Sequence, residues 1–115
     1  AQSKASFFRA SWIADYPDAE NYLSLFYTQN FCPEGPNYTH FSSTQFDLLY
    51  RKSALVQDDS LRGKMYEQMD NLIMAEAPVV VLFYDEVLRF THKDISGLGS
   101  NPLNLLTLKH VKKEK

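Results

Sequence analysis

The sequence has few of the residues that build metal centres, disulfides and phosphate-binding loops. It contains one cysteine, Cys32, and three histidines among 115 residues. One cysteine cannot form an internal disulfide, and no two histidines have the i, i+4 spacing of a zinc-binding helix. Gly97 and Gly99 form only a bare GxG, and no GxSxG nucleophile motif is present. We therefore expect no metal site and no bound cofactor.

The sequence also lacks a long apolar run and a strong charge of either sign. The longest apolar run, residues 77–84, is far shorter than the ~20 residues of a membrane-spanning helix. Residues 1–6 lack the apolar region of a signal peptide, so we expect any export signal to lie upstream. A formal net charge of −2 gives no indication of a nucleic-acid partner. The short basic tail, residues 109–115, is interpreted as a solubilising end.

An apolar content of 44% with 14% aromatic residues is typical of a globular chain. Alternating apolar and β-branched residues predict a strand at 6–13, in which Arg9 and Trp12 would lie on opposite faces. The valine-rich run 79–84 is the strongest strand prediction, and 87–91 is a weaker one. A further short extended stretch is expected near residues 105–108.

Three helices are predicted between the first strand and the second. The first covers about residues 19–28 after Asp18 as its cap, with Tyr22 on its apolar face. The second begins after Ser43 or Thr44, where Thr44 and Asp47 approximate a capping box.

The third predicted helix follows an aspartate or serine cap within residues 58–60 and runs to about Glu76. Pro78 ends it and favours extended geometry at Ala77. Three helices with two or three strands form a mixed α/β arrangement with an incomplete sheet. This is the pattern expected of part of a larger α/β protein.

Two carboxylates near the first helix raise the question of general acid–base chemistry. Asp18 is better interpreted as a helix cap. Asp15 follows the apolar strand and lies in a turn, where a carboxylate can face a cleft. A small hydrolase that uses Asp15 and Asp18 therefore remains an alternative to a binding function.

Four segments, in order along the chain, match motifs that occur together in one family. Residues 12–23, WIADYPDAENYL, resemble W-x-A-D-Y-x-(D/E)-(P/A)-x-x-(F/Y)-L. Residues 37–49 resemble N-Y-x-x-x-x-S-x-x-F-D-x-L. Residues 59–66 resemble D-x-x-x-R-x-x-L-Y, and residues 76–84 resemble E-x-A-P-x-x-P-L-Y-Y.

These motifs resemble those of the family 5 extracellular solute-binding proteins, the oligopeptide- and dipeptide-binding proteins of ABC transporters. Two departures are Val81, where a second proline is common, and Gly63 inside a helix. The resemblance covers nearly the whole chain. Because family members are several times longer and have two lobes around a cleft, it implies that residues 1–115 are a single C-terminal portion of one lobe. The implied fold is a partial lobe of the periplasmic-binding-protein type II fold.

The resemblance also implies a binding site. Asp15 matches the aspartate that pairs with a peptide's α-ammonium group, and Arg9 matches an arginine that reaches a short peptide's carboxylate. Trp12 resembles an aromatic residue that lines a side-chain pocket, and the neighbouring Tyr16 can stack on a ligand. A zwitterionic peptide needs one fixed anion and one fixed cation, because charge-assisted hydrogen bonds are the stronger kind.

The implied function is the substrate-binding component of an ABC importer, which delivers peptides to a membrane permease and is not an enzyme. The implied location is periplasmic or extracytoplasmic, with membrane association through a lipid anchor upstream of these residues. The same fold binding a nickel chelate, an oligosaccharide or heme is the main alternative. Without the remainder of the lobe, we expect the isolated chain to self-associate.

Overall fold

The computed structural model describes residues 5–84, 86–101, 103 and 105–114. The chain divides into a first unit that ends at Val81 and a second that begins at Leu82. The described residues form three α-helices and one two-stranded antiparallel sheet, which confirms the predicted mixed α/β class. The elements are α1 (Glu20–Leu23), α2 (Thr44–Ser53), α3 (Asp59–Glu76), β1 (Ile95–Ser96) and β2 (Lys112–Lys113).

The first predicted helix is present but shorter than expected. After α1, the chain continues as two 3₁₀ turns, Ser24–Phe26 and Thr28–Asn30, because the intervening Tyr27 has extended backbone angles. The expected N-cap role of Asp18 is wrong in position, because Ala19 is the N-cap residue of α1 and has no side-chain cap. Asp18 precedes it, and its Oδ1 still accepts a hydrogen bond of 2.9 Å from the backbone N–H of Glu20. Tyr22 was wrongly placed on the buried face. A helix of one turn buries only two of its residues, which are Asn21 and Leu23.

The second and third helices begin with side-chain caps. The Ser43 side chain accepts from the N–H of Phe46, and the Asp58 side chain accepts from the N–H of Leu61. The expected capping box with Thr44 is wrong, because the Asp47 carboxylate instead accepts from the N–H of Thr28 at 3.2 Å. Both helices are thus started by a polar side chain that satisfies an otherwise unpaired helix N–H.

The third helix ends at Glu76, as the position of Pro78 predicts, but its C-cap residue Ala77 has a different conformation from the expected one. Ala77 has φ 48° and ψ 49°, which is left-handed and not extended. In this conformation its N–H donates to the carbonyl of Ile73 at 2.8 Å. The left-handed cap thereby satisfies one of the last helical carbonyls.

The core of the first unit lies between α2 and α3. On α2, Phe46 is fully buried, and Leu49 and Tyr50 pack around the same cluster. Leu61, in the first turn of α3, is half exposed and lies outside the buried cluster. The buried cluster consists of Leu23, Phe41, Phe46, Met69 and Ile73.

The loop between the second 3₁₀ turn and α2 is held by a buried asparagine. Asn37 is fully buried there. Its side-chain amide donates to the carbonyls of Tyr27 and Phe41, at 3.2 and 3.0 Å. One side chain thus connects the two ends of the loop, and its buried polar atoms are satisfied.

The strands predicted at 6–13, 79–84 and 87–91, and the stretch at 105–108, are not strands in the described part of the chain. A strand needs a neighbour that accepts and donates along its edge, and the described residues beside these segments supply none. In the second unit β1 pairs with β2, with Ile95 opposite Lys113. Part of the basic tail is therefore a strand as well as an exposed end; Lys115 lies outside the described residues.

A glycine is required directly after β1. Gly97 has φ 78°, and a Cβ at this position would collide with the carbonyl oxygen of His110. Both the positive φ and the close approach exclude a larger residue without a backbone shift.

Candidate functional site

The predicted ligand-binding residues Trp12, Asp15 and Tyr16 lie in one loop before α1. We call residues 12–18 the Asp15 loop. Its first residue is tethered, because the Trp12 indole Nε1 donates a 2.7 Å hydrogen bond to Oδ1 of Asn21. Asn21 is only 4% exposed, so this contact ties the start of the loop to the buried side of α1.

The middle of the loop is tethered through Tyr16. Its hydroxyl donates to Oε2 of Glu20, and the hydroxyl of Tyr50 on α2 donates to Oε1 of the same carboxylate. The hydrogen bond to Glu20 raises the pKa of Tyr16, with desolvation adding to the effect. Burial, and then the hydrogen bond to Glu20, raises the pKa of Tyr50. Both hydroxyls therefore keep their protons at neutral pH and remain donors.

The end of the loop is held by Asp18. Besides accepting from the N–H of Glu20 at the start of α1, its Oδ1 accepts from the Tyr66 hydroxyl at 3.1 Å. Its Oδ2 lies 3.3 Å from the Arg62 guanidinium. Burial, and then the hydrogen bond to Asp18, raises the pKa of Tyr66 to about 12. Asp18 thus connects α1 to α3, and its oxygens are occupied by structural partners.

Asp15 differs from its acidic neighbours. It is exposed, and its carboxylate makes no hydrogen bond or ion pair with any described residue. It is bracketed along the chain by the two tethered aromatic residues, Trp12 and Tyr16. A carboxylate that is exposed on a tethered loop can accept charge-assisted hydrogen bonds from a cationic group.

Arg9 lies six residues before Asp15, exposed, in a stretch without helix or strand. The expectation that Arg9 and Trp12 point to opposite faces depended on a strand. Because that strand is absent here, simple alternation does not determine the side-chain direction of Arg9.

Sequence reasoning missed Glu20, Asn21 and Tyr50 as supports of the loop. The i, i+4 spacing of Tyr16 and Glu20 was a usable signal, because such residues are neighbours on a helical turn. Nothing local pointed to Tyr50, which lies 30 residues from Glu20 along the chain.

Neither a membrane span nor a metal site is present in the described residues. No helix there is long and apolar enough to cross a membrane. No group of three or more histidine, cysteine, aspartate or glutamate side chains is arranged there to hold a metal ion.

The chain is similar to bacterial solute-binding proteins. It is 24% identical to the dipeptide-binding protein DppE of Bacillus subtilis over 96% of this chain, and 29% identical to di/tripeptide-binding protein 4 of Pseudomonas aeruginosa over 81%. It is 25% identical over 77% of its length to YgiS of Escherichia coli, a probable deoxycholate-binding periplasmic protein. A comparison with protein-family models found no match.

These relatives confirm the resemblance to peptide- and dipeptide-binding proteins, at low identity. All three are named as binding proteins, and one of them as a periplasmic protein. The chain spans only 20%, 17% and 16% of the lengths of these three relatives. The described helices and small sheet are thus a partial α/β piece by comparison with proteins of this class.

Proposed function

We propose that this chain is part of the substrate-binding component of an ABC importer, which binds peptides by their charged termini and backbone and delivers them to a membrane permease. Within that protein, residues 1–115 form the C-terminal portion of one lobe. Support comes from the peptide-binding relatives and from the small share of their length that the chain spans.

The single observation that carries the proposal is the exposure of the Asp15 carboxylate. It is an exposed carboxylate without a partner in the described structure, on a loop tethered on both sides of it. In this proposal the Asp15 carboxylate binds the α-ammonium group of the peptide. In this proposal Arg9 binds the peptide carboxylate, and Trp12 and Tyr16 line a side-chain pocket. Closure of a second lobe would exclude water and strengthen both charge pairs.

The test is Asp15→Asn in the complete protein that contains these residues. Removing one partner of a desolvated ion pair costs about 3–5 kcal/mol. Calorimetry should therefore show peptide affinity lower by roughly two to four orders of magnitude. Asp18→Asn is the matched control, because asparagine keeps the Oδ1 acceptor for the Glu20 N–H and the Tyr66 hydroxyl and loses only the part-exposed ion pair with Arg62. It should leave affinity nearly unchanged. Less than a tenfold loss in Asp15→Asn would refute the assignment.

We also propose that the protein does not cleave its ligand. An acid–base mechanism would use the carboxylates of Asp15 and Asp18. The Asp18 carboxylate, however, is already bound by Tyr66, Arg62 and the first N–H of α1. Peptide incubated with the complete protein should be recovered intact. Products that disappear in an Asp15→Ala variant would restore the hydrolase alternative.

A non-peptide ligand is the second candidate, because one relative is named for deoxycholate. That ligand is an anion, and an exposed Asp15 would repel its carboxylate. Asp15 therefore favours an amine-bearing ligand. Mass spectrometry of the ligands that co-purify with the complete protein distinguishes peptides from a steroid acid, and equally from a nickel chelate, an oligosaccharide or heme.

The proposed location is periplasmic or extracytoplasmic, with a lipid anchor upstream of these residues as the membrane attachment. The periplasmic relative supports the location. Fractionation of the source cells, with globomycin-type inhibition of lipoprotein maturation, tests location and anchor separately.

We expect the isolated chain to bind peptides poorly. Without a second lobe Asp15 stays exposed, and an exposed ion pair contributes only about 0–1 kcal/mol. This is too little to offset the roughly 4–15 kcal/mol lost on association. Titration of di- to pentapeptides should show no saturation below millimolar concentration, whereas the complete protein should bind them.

We also expect the isolated chain to self-associate through its exposed apolar segment, residues 79–84. Light scattering after size-exclusion chromatography should show a mass that rises with concentration. A strictly monomeric chain with micromolar peptide affinity would contradict the two-lobe proposal.

A further inference from the structure

Glu20 connects the Asp15 loop to the packed helices. It is the first residue of α1, and each of its two carboxylate oxygens accepts one hydroxyl. One hydroxyl belongs to Tyr16 in the loop and the other to Tyr50 on α2. The two donors come from chain positions more than 30 residues apart, so the carboxylate joins a surface loop to a separate helix.

The α2 end of this connection is immobilised by packing. The Tyr50 ring stacks on Tyr27, with ring centroids 4.5 Å apart, and on the fully buried Phe46, at 6.2 Å. Aromatic stacking and burial restrict the ring to one orientation, because tightly packed side chains occupy single rotamers. The position of the Tyr50 hydroxyl is therefore determined by the core.

We propose that Glu20 is a positioning residue, whose carboxylate holds the Asp15 loop in its binding geometry by accepting hydrogen bonds from Tyr16 and Tyr50. This inference rests on the proposed peptide binding by Asp15. Neither Glu20 nor Tyr50 is assigned a contact with the ligand. They act through Tyr16, the residue that follows Asp15.

The physical effect is preorganisation. A loop that is already ordered loses less conformational entropy when a ligand binds. Binding groups also need to be held within about 0.5 Å of their productive geometry by the residues that support them. Without Glu20, the Tyr16 side chain would lose its hydrogen bond, and only the backbone would restrain the middle of the loop. The two ends of the loop, at Trp12 and Asp18, would remain tethered.

The first test measures the loop without ligand, in the complete protein labelled with ¹⁵N-tyrosine. The backbone order parameter at Tyr16 should be about 0.8 in the parent protein and fall below about 0.6 in Glu20→Ala. Tyr50→Phe keeps the ring stacking and removes only the hydroxyl, so it should cause a smaller decrease and should fold normally. Tyr66→Phe is the matched control. It removes a hydroxyl that donates to Asp18, but the Glu20 N–H and Arg62 still hold that carboxylate, so the order parameter at Tyr16 should be unchanged.

The second test measures peptide affinity by calorimetry. Tyr50→Phe should weaken binding about tenfold and Glu20→Ala somewhat more, whereas Tyr66→Phe should change it less than twofold. The loss should depend on Asp15. In an Asp15→Ala background, Tyr50→Phe should have no further effect. N-acetylated peptides, which lack the α-ammonium group, should bind Tyr50→Phe as they bind the parent.

The outcomes separate this inference from the proposed function. If Tyr16 becomes mobile in Glu20→Ala but the parent protein binds no peptide, peptide binding is wrong and the anchoring of the loop by Glu20 stands. If the parent binds peptides and the order parameter at Tyr16 is unchanged in Glu20→Ala, the positioning role is overturned. An equal loss of affinity from Tyr50→Phe with and without Asp15 would also overturn it, since that result indicates a general loss of structure.

Discussion

The helical region, residues 20–77, and the apolar segment, residues 79–84, are both rich in apolar side chains but differ in burial. In the helical region Phe46 and Met69 are fully buried. In the apolar segment Leu82 is 67% exposed and Tyr84 is 92% exposed. Hydrophobicity alone therefore does not explain which residues form a core.

The difference follows from how each kind of backbone is satisfied. The helices α2 and α3 satisfy their own N–H and C=O groups, and their first amides are capped by Ser43 and Asp58. A strand has no internal hydrogen bonds and depends on a neighbouring strand. The apolar segment forms no strand beside the described residues, and its side chains from Val80 to Tyr84 are exposed. The helical region is thus locally encoded, while the apolar segment depends on a partner.

Phe46→Ala should have the largest effect on stability. The ring is fully buried and contacts the rings of Phe41 and Tyr50. Its removal leaves a cavity, and phenylalanine-to-alanine changes in cores cost about 3–5 kcal/mol. Urea unfolding followed by circular dichroism measures the loss. A loss below about 1 kcal/mol would show that the helical region has no such core.

Leu82→Ala tests the partner dependence of the apolar segment. In the isolated chain this exposed residue should change the free energy of unfolding by less than about 0.5 kcal/mol. In the complete protein we expect neighbouring strands to bury it, and a buried leucine-to-alanine change costs about 2–5 kcal/mol. Equal effects in the two proteins, measured by the same denaturant titration, would contradict the idea that the remaining polypeptide covers this segment.

Asp58→Ala tests whether residues next to α3 in the sequence stabilise this helix. Loss of an N-cap side chain typically costs about 1 kcal/mol. The adjacent Asp59→Ala is the control. Its carboxylate is exposed and, among the residues that the structure describes, pairs only with Arg62 three residues later, an interaction that contributes about 0.2–0.5 kcal/mol. Thermal unfolding should therefore rank Asp58→Ala as the more destabilising change; the reverse order would reject Asp58 as the cap.

Gly63→Ala should have the smallest effect and the opposite sign. Gly63 lies inside α3, and a Cβ there would meet no atom within 4 Å. Replacing a helical glycine by alanine should therefore stabilise the protein by about 0.5–1 kcal/mol. Gly97→Ala provides the contrast, since its positive φ and the nearby His110 carbonyl should make it destabilising. Differential scanning calorimetry of both variants checks the two signs, and a lower melting temperature for Gly63→Ala would contradict this account.

The sequence by itself determined the class of the protein and its helical elements. The motif around Asp15 indicated the resemblance that the relatives confirm. The positions of α2 and α3 were predictable because periodicity, caps such as Asp58 and a terminating proline act within a few residues of each other. The roles of the site residues stay predictions.

Only the tertiary structure decided which segments are strands and how the Asp15 loop is held. Residues 6–13 and 79–84 have strand-forming side chains, but pairing depends on residues distant in the sequence. In the second unit the pairing of β1 with Lys112 and Lys113 joins residues 16 or more positions apart, and no local pattern signalled it. The contact of Tyr50 with Glu20 likewise exists only because α2 packs where it does. Local interactions can be predicted from a sequence, whereas contacts between distant residues arise from packing.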